Sequence, residues 1–324
     1  MEVTVRAFTA WGERHQVALY LASIAVGAVV GLLSPSTAPV WESAVTPLLG
    51  VLLFATFLGV PFAHIGRAFV DGRFLGTLLL LNFVVVPALA FGVSRVVAAD
   101  EAILLGVLLV LLTPCVDYVI VFTGLAGGDR SRLLAATPLL MLLQMLLLPV
   151  YLSLFLGTDA MSVVDPRPFI DAFLLLIALP LALAALTQVL TRRFTSARVI
   201  ERGSATAMVP LMMLTLAAVV ASQVFAVGGA WGRLFLTVPV FAVFAVIAAP
   251  LGAVLARVAG LDTPGRRAVV FSGVTRNSLV VLPLALALPD AFTLTPLVIV
   301  TQTMVELIVM VAMVAVIPRL IRQR

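Results

Sequence analysis

The sequence predicts an all-α membrane protein of ten transmembrane helices, arranged as two inverted five-helix repeats with broken, crossing helices 4 and 9. Hydrophobic residues make up 63% of the 324 residues and charged residues only 11%, whereas soluble domains average about 45–50% and about 25%. Arginine recurs in alternate connections between apolar stretches, and a polar interruption recurs at matching places in the two halves. Lipid is therefore the expected solvent for most of the chain.

Ten apolar stretches are each long enough for a transmembrane helix, which needs about 17–25 residues. Their connections are short, so we expect one polytopic membrane domain, with repeat one at about 17–157 and repeat two at about 168–317. The predicted spans are Val17–Leu33, Val45–Ala63, Phe74–Ala98, Ala102–Ala126, Leu133–Gly157, Pro168–Leu190, Ala205–Val227, Leu234–Val258, Ala268–Leu288 and Leu294–Ile317.

The arginines predict the orientation of the spans. All twenty basic residues are arginine; sixteen lie in the N-terminus, the even-numbered loops and the C-terminal tail, three lie in odd-numbered loops, and Arg276 lies inside a span. Because short cytoplasmic loops retain basic residues, we expect both termini to be cytoplasmic and the protein to be multi-pass in the cell (inner) membrane. The net charge of +5 then reflects the orientation of the spans in the membrane, and no nucleic-acid partner is expected.

The two halves carry matching motifs. Span 5 contains Thr137-Pro138-Leu139 with Gln144 seven residues after the threonine, and span 10 contains Thr295-Pro296-Leu297 with Gln302 at the same offset. Each motif follows a span that is interrupted at mid-length. Since five helices per half is an odd number, the halves must insert with opposite orientation. Paired broken helices in inverted repeats indicate the substrate site of a secondary transporter.

The interruptions contain the candidate functional residues. Span 4 is broken at Thr113–Asp117 and span 9 at Thr275–Ser278. A charge at the centre of a membrane helix costs about 2.5–3.5 kcal/mol, so such residues are functional by default. If the two helices cross at their breaks, Asp117 and Arg276 come close together. They then shape a substrate site, although a purely structural ion pair is the alternative.

Neutral groups in the same breaks can bind a small solute. Thr113, Asn277 and Ser278 supply hydrogen bonds, and broken helices expose carbonyl groups and positive helix N-termini. Cys115 is the only cysteine. It is either a small packing residue, as most buried cysteines are, or a soft ligand for a thiophilic solute.

Glu306 is the third intramembrane charge and lies four residues after Gln302, on the same helical face. It is a candidate for proton coupling together with Asp117, or else a neutral carboxyl that hydrogen-bonds between helices. No histidine lies in any span, so a hydrolytic site is not expected and the protein is predicted not to be an enzyme. No metal centre or cofactor is expected.

The segment from Thr113-Pro114-Cys115 to Leu125-Ala126-Gly127-Gly128-Asp129 resembles the span-4 motif of the bile acid:sodium symporter superfamily, and is closest to its arsenite-permease (arsenical-resistance) branch. The resemblance implies a core of spans 3–5 and 8–10 that moves against a panel of spans 1, 2, 6 and 7. It also implies that Cys115 matches the permease cysteine used in As(III) transport and that Glu306 matches a permease carboxylate of span 10.

Span 9 departs from both branches. The permease glutamate falls at Leu279, and the symporter glutamate and glutamine fall at Ser272 and Arg276. We therefore expect the guanidinium of Arg276 to replace a bound cation, and transport to be independent of sodium and either linked to protons or a uniport.

Two transport hypotheses follow. The first is efflux of arsenite or antimonite, as the As(III) or Sb(III) hydroxide, by an antiporter that is coupled to protons. The alternative is an organic-anion transporter of the bile acid:sodium symporter type, coupled to sodium or protons, with Arg276 as the counter-charge of the substrate.

Overall fold

The computed structural model describes residues 2–59, 71–116, 118–163, 174–191, 195–225 and 231–322. Regular structure in these ranges is helical, apart from one isolated antiparallel bridge between Pro114 and Arg276. In chain order the α-helices of these ranges are α1 Glu2–Leu33, α2 Ala38–Gly59, α3 Gly72–Leu80, α4 Val86–Ser94, α5 Glu101–Leu111, α6 Tyr118–Leu125, α7 Arg130–Val163, α8 Leu179–Leu190, α9 Thr195–Gln223, α10 Trp231–Phe235, α11 Thr237–Val258, α12 Thr263–Val274, α13 Ser278–Leu286 and α14 Thr295–Leu320.

Two π-helical turns widen the helices locally. The turn Leu81–Val85 joins α3 to α4, and Leu174–Ala178 precedes α8. Each is followed within two residues by a proline, Pro87 or Pro180. A proline has no N–H to donate and its ring crowds the carbonyl four residues earlier, so a wider turn accommodates it. The first of these turns carries Asn82 into the interior.

Five helical segments in the described part of the chain are long and apolar enough to cross a membrane: Pro35–Gly59, Gly72–Val97, Arg130–Leu156, Trp231–Val258 and Thr295–Leu320. Four shorter apolar helices accompany them: Ala18–Leu33, Glu101–Leu111, Leu179–Leu190 and Thr206–Ser222. Large aliphatic side chains such as Val246, Ile308 and Leu154 point outward and are exposed, which suits lipid and not water.

The helix ends differ from the limits of the apolar stretches. Helix α1 begins at Glu2, well before the predicted start at Val17, and α9 begins at Thr195 instead of Ala205. Polar turns outside the apolar region continue the same backbone hydrogen bonding, so hydropathy marks the membrane-embedded part of a helix and not its end.

One compact unit of the chain contains α1, α2, α8 and α9. In this unit α1 packs closely against α9. A Cβ atom at Gly27 would lie 2.5 Å from the carbonyl oxygen of Ala217, and one at Gly31 would lie 2.6 Å from that of Ala221. The Gly-x-x-x-Gly pair therefore serves helix packing, since only glycine allows the two backbones to approach so closely.

A second compact unit contains α3 to α7, α11, α12 and α14, with almost all of α10 and α13. Here α5 packs on α14 at Gly106, where a Cβ atom would lie 2.8 Å from the Cβ of Val298. The hydroxyl of Thr295 donates to the carbonyl of Ala102 at 2.8 Å and ties the same two helices together. This unit holds both interrupted helices.

Three helix N-termini of the second unit meet at one arginine. Arg132 forms ion pairs with Asp71 at 3.4 Å, Asp129 at 3.1 Å and Asp262 at 2.7 Å. Each aspartate also accepts a backbone N–H bond at the start of α3, α7 or α12, which is the usual role of an N-cap. The arginines that the sequence marks as loop residues thus also join helix ends.

Asp129 has a lowered pKa. Burial acts to raise the pKa of this carboxyl, but the Ser131 hydroxyl, the backbone N–H groups of Arg132 and Ser131 and the Arg132 charge together bring it below its ordinary value. The carboxylate form therefore stabilises the start of α7.

Candidate substrate and coupling site at the helix breaks

The two helix breaks pair with each other. Helix α5 ends at Leu111 and α6 begins at Tyr118, while α12 ends at Val274 and α13 begins at Ser278. Between them, the N–H of Cys115 donates to the carbonyl of Thr275 at 3.2 Å, and the N–H of Asn277 donates to that of Thr113 at 2.7 Å. Backbone groups freed by each break are thus satisfied by the other break, as a buried backbone requires.

Different local chemistry produces each break. Pro114 cannot donate a helical hydrogen bond and disrupts the helix around it. The second break contains no proline; Thr275 instead takes an extended conformation with φ −78° and ψ 134°. Asn277 then starts α13, since its Oδ1 accepts the N–H of Val280 at 3.3 Å, in the manner of an N-cap.

The predicted site residues come together, with one exception. Thr113, Cys115, Arg276, Asn277 and Ser278 all lie at the paired breaks and are buried. Asp117, predicted both for the substrate site and for proton coupling, lies outside the described residues.

The guanidinium of Arg276 is wholly buried and held by oxygen atoms of the protein. Its Nη1 donates to the carbonyl of Leu111 at 3.3 Å. Its Nη2 donates to the carbonyls of Ser272 at 2.6 Å and Gly273 at 2.9 Å, and to Oδ1 of Asn82 at 3.0 Å. These carbonyls belong to the last turns of α5 and α12, where the helix dipole places partial negative charge. The cation therefore caps two helices at once.

Two residues that were not predicted from the sequence, Asn82 and Phe244, also contact the side chain of Arg276. Asn82 holds its amide in place by donating to the carbonyl of Leu78 and the hydroxyl of Ser272, both at 3.0 Å. The Phe244 ring centroid lies 5.6 Å from the Cζ of Arg276, within cation–π range. A lone amide in span 3 is a detectable signal in the sequence, whereas one phenylalanine among many in apolar spans is not.

Glu306 contacts the second break through its carboxyl group. Its Oε2 accepts the backbone N–H of Arg276 at 2.8 Å and the side-chain N–H of Gln302. Glu306 is 4% exposed and is the single buried carboxylate in the described part of the chain. Gln302 thus bonds within its own helix, to the residue four positions later.

The threonine hydroxyls at the breaks turn back onto their own helices. Thr113 Oγ1 donates toward the carbonyls of Leu109 and Val110, each at 3.1 Å, and Thr275 Oγ1 donates to that of Phe271. By contrast, Nδ2 of Asn277 and Oγ of Ser278 are buried and have no hydrogen-bond partner among the described residues. These two groups therefore retain hydrogen-bonding capacity at the breaks.

Apolar helices with two breaks that meet around a buried arginine and a buried carboxyl define a multi-pass membrane protein of the transporter class. The sequence model of the Sodium Bile acid symporter family matches residues 46–229, more than half of the chain. The chain belongs to this family, whose members are transporters and not enzymes. No curated protein matches the chain. Arg276 and Glu306 lie beyond the matched segment.

Proposed function

We propose that this chain is a secondary transporter that is coupled to protons, is independent of sodium and carries a small solute through the paired helix breaks. The Arg276 guanidinium is the observation that carries the proposal. Sodium is bound by oxygen atoms, and unwound helix carbonyls commonly provide them in transporters. At these breaks the carbonyls of Leu111, Ser272 and Gly273, with Asn82, already surround a permanent cation.

Glu306 is the proposed proton carrier. It is the single buried carboxylate among the described residues, and one of its observed donors, the backbone N–H of Arg276, belongs to the break. Movement of the break would withdraw the backbone N–H of Arg276 and change the balance between the charged and neutral forms. Such a dependence is what couples proton binding to a conformational change.

The proposed transport movement is that of a core of spans 3–5 and 8–10 against a panel of spans 1, 2, 6 and 7, in a ten-span, inverted-repeat arrangement. The division of the chain into two compact units with these same helices supports it, as do the paired breaks. The arginine distribution supports cytoplasmic termini and an inner-membrane location.

The first proposed solute is the hydroxide of trivalent arsenic or antimony, carried by efflux. Supporting this choice, the only thiol of the chain lies at the break with its backbone paired to Thr275, close to the unpartnered groups of Asn277 and Ser278. A soft thiol binds such a solute, and hydroxyl groups on the solute suit these neutral polar partners.

The second candidate is an organic anion, which the family name favours. Helices α6 and α13 both begin at the breaks, and helix N-termini stabilise anions. The anion would then bind to Asn277 and Ser278. Arg276 is not its counter-charge in this arrangement, because the guanidinium donates to protein oxygens.

Cys115→Ser distinguishes the two solutes. In a host stripped of its own arsenite exporters, the wild-type chain should lower cellular arsenite, and Cys115→Ser should abolish this at equal expression. Full arsenite tolerance with Cys115→Ser would remove the thiol from the mechanism. Uptake of an organic anion that is lost in Ser278→Ala and kept in Cys115→Ser would favour the second candidate.

The coupling ion is tested in proteoliposomes containing the full chain. We expect the same transport rate when sodium is replaced by choline, and stimulation by an imposed proton gradient. Glu306→Gln should abolish the stimulation, whereas the control Glu101→Gln, at the exposed start of α5, should retain it. Strict sodium dependence would refute the proposal.

A further inference from the structure

The start of α12 and the end of α14 meet at one end of the second unit. The guanidinium of Arg267 donates to the carbonyl of Ile321 at 3.1 Å through Nε and at 2.8 Å through Nη2, and to that of Ala126 at 3.0 Å through Nη1. The hydroxyl of Thr263 donates to the carbonyl of Arg322 at 3.4 Å. These bonds hold the first turns of α12 beside the last turn of α14.

Three other arginines of these turns lie next to one another, and we call them the arginine triad: Arg266 of α12, and Arg319 and Arg322 at the end of α14. Arg266 lies three residues after Thr263 and is therefore its neighbour on the helix surface, while Thr263 bonds to Arg322. The Nε of Arg322 donates to the carbonyl of Arg319 at 3.0 Å. Since a guanidinium stays charged in proteins, the triad concentrates three positive charges at the junction of two helices.

The positive charges of the arginine triad are not balanced by the protein in the described part of the chain, where no carboxylate forms an ion pair with them. Asp262, the aspartate that precedes α12, pairs with Arg132 at 2.7 Å and accepts the N–H of Gly265 as an N-cap. The Nε of Arg266 is buried and has no hydrogen-bond partner among the described residues. Because like charges repel each other and a buried donor without an acceptor is unfavourable, the triad favours a bound anion.

The outer face of α14 beside the arginine triad is apolar. Met304, Ile308, Val316 and Leu320 are exposed and lie at multiples of four residues, which places them along one side of the helix. Arg319 follows Val316 by three residues and lies on the same side. A row of exposed aliphatic side chains is suited to lipid acyl chains, and arginines at the end of such a row lie at the level of the lipid headgroups.

We propose that the arginine triad binds the headgroup of an anionic phospholipid. The guanidinium groups donate to the phosphate oxygens, for which their geometry is well suited, and an acyl chain lies along the exposed face of α14. Basic clusters at the ends of membrane helices bind anionic headgroups through the same attraction. A free phosphate ion would offer the same oxygens and charge, but it would make no contact with the aliphatic row of α14.

Native mass spectrometry of the purified full chain measures its affinity for single lipid molecules. Dioleoyl phosphatidylglycerol is the anionic probe, and dioleoyl phosphatidylcholine is the zwitterionic comparison with the same acyl chains. Each arginine beside an anionic headgroup contributes about a fivefold gain in affinity. The wild-type chain should therefore bind phosphatidylglycerol about a hundredfold more tightly than phosphatidylcholine.

The double variant Arg319→Gln and Arg322→Gln should reduce this preference to about fivefold, because one arginine of the triad remains. The matched control is the double variant Arg73→Gln and Arg257→Gln, which removes two exposed arginines of the same unit from outside the triad. This control should keep the wild-type preference for phosphatidylglycerol.

Three results would overturn the lipid site. Equal affinity of the wild-type chain for the two lipids would do so without any variant, and therefore decides the question even if the double variant does not fold. An unchanged preference in the triad variant would show that the triad is not the site. An equal loss of preference in the control variant would show a general attraction between basic protein and acidic lipid.

Glycerol 3-phosphate distinguishes a lipid site from a site for free phosphate compounds, since it carries the phosphate group without the acyl chains. At the same concentration as phosphatidylglycerol it should leave the bound lipid in place. Displacement of the lipid would show that the chains contribute nothing and would refute the proposed site. These measurements do not involve transport, so failure of the proposed function would leave their outcome unaffected.

Discussion

Replacing Arg276 by methionine should open the helix breaks far more often. The change keeps an apolar stem and removes the guanidinium, which donates to three carbonyls and one amide oxygen while it is 0% exposed. Removing one partner from a buried charged network costs about 3–5 kcal/mol, because the remaining polar groups lose their compensation. At about 1.4 kcal/mol for each factor of ten, the open population should rise by roughly two to three and a half orders of magnitude.

The single cysteine of the chain reports this opening directly. Cys115 lies at the break and is fully buried, so a maleimide reacts with it only when the break opens. We would measure the labelling rate of the purified protein in detergent under native conditions, where the rate follows the open population. Arg276→Met should be labelled roughly two to three and a half orders of magnitude faster than the wild-type chain. Arg276→Lys should be labelled at an intermediate rate. Its ammonium group retains the positive charge but lacks the planar arrangement of N–H donors that a guanidinium has.

Arg233→Gln is the control for loss of a charge. Arg233 pairs with Asp100 at 2.7 Å, but its side chain is 61% exposed, and exposed pairs contribute about 0–1 kcal/mol. The rate at which Cys115 is labelled in Arg233→Gln should therefore stay within about fivefold of the wild-type rate. If Arg276→Met also stays within that range, the guanidinium does not hold the breaks together and the reasoning about its four bonds is wrong.

Two further predictions concern stability. Gly27→Val should lower the melting temperature of the purified protein by several degrees, because a Cβ atom at this position would lie 2.5 Å from the carbonyl oxygen of Ala217. Gly50→Ala is the control and should have little effect, since a Cβ atom there meets nothing within 4 Å. Equal melting temperatures for the two variants would contradict the close packing of α1 on α9. The pKa of Asp129 is lower in the folded protein than its unfolded value of about 3.9. Its carboxylate therefore stabilises the fold at pH values above about 3.9, and this contribution is lost as the pH falls through the folded pKa. Asp129→Asn should therefore be less stable than the wild-type chain at pH 7, with a difference that shrinks below about pH 4, and a difference independent of pH would refute this assignment.

The position of each helix break could be predicted from the sequence because breaks depend on local chemistry. Pro114 removes a donor at a known place in span 4, and the polar run from Thr275 to Ser278 stands out against apolar neighbours. The exact helix limits could not be predicted, as α1 and α9 show, because hydropathy measures contact with lipid and helical hydrogen bonding continues beyond it.

The partners of the buried charges were decided by the tertiary structure. The sequence places Arg276 inside a span, but whether the guanidinium is available to a solute depends on which oxygens surround it. Asn82 is 194 residues away from Arg276 along the chain, and Leu111 is 165 residues away. Gln302 and Glu306 lie on one face in the sequence pattern, yet only the tertiary structure brings the carboxyl of Glu306 to the backbone N–H of Arg276.

By itself, then, the sequence determined the solvent of the chain, the apolar stretches and the sites of interruption, since composition and local backbone chemistry act over a few residues. The tertiary structure alone decided that the two breaks satisfy each other's backbone groups and that Arg276 caps two helices. Hydrogen-bond satisfaction in an apolar interior is a property of whichever segments become neighbours, and no local pattern specifies those neighbours.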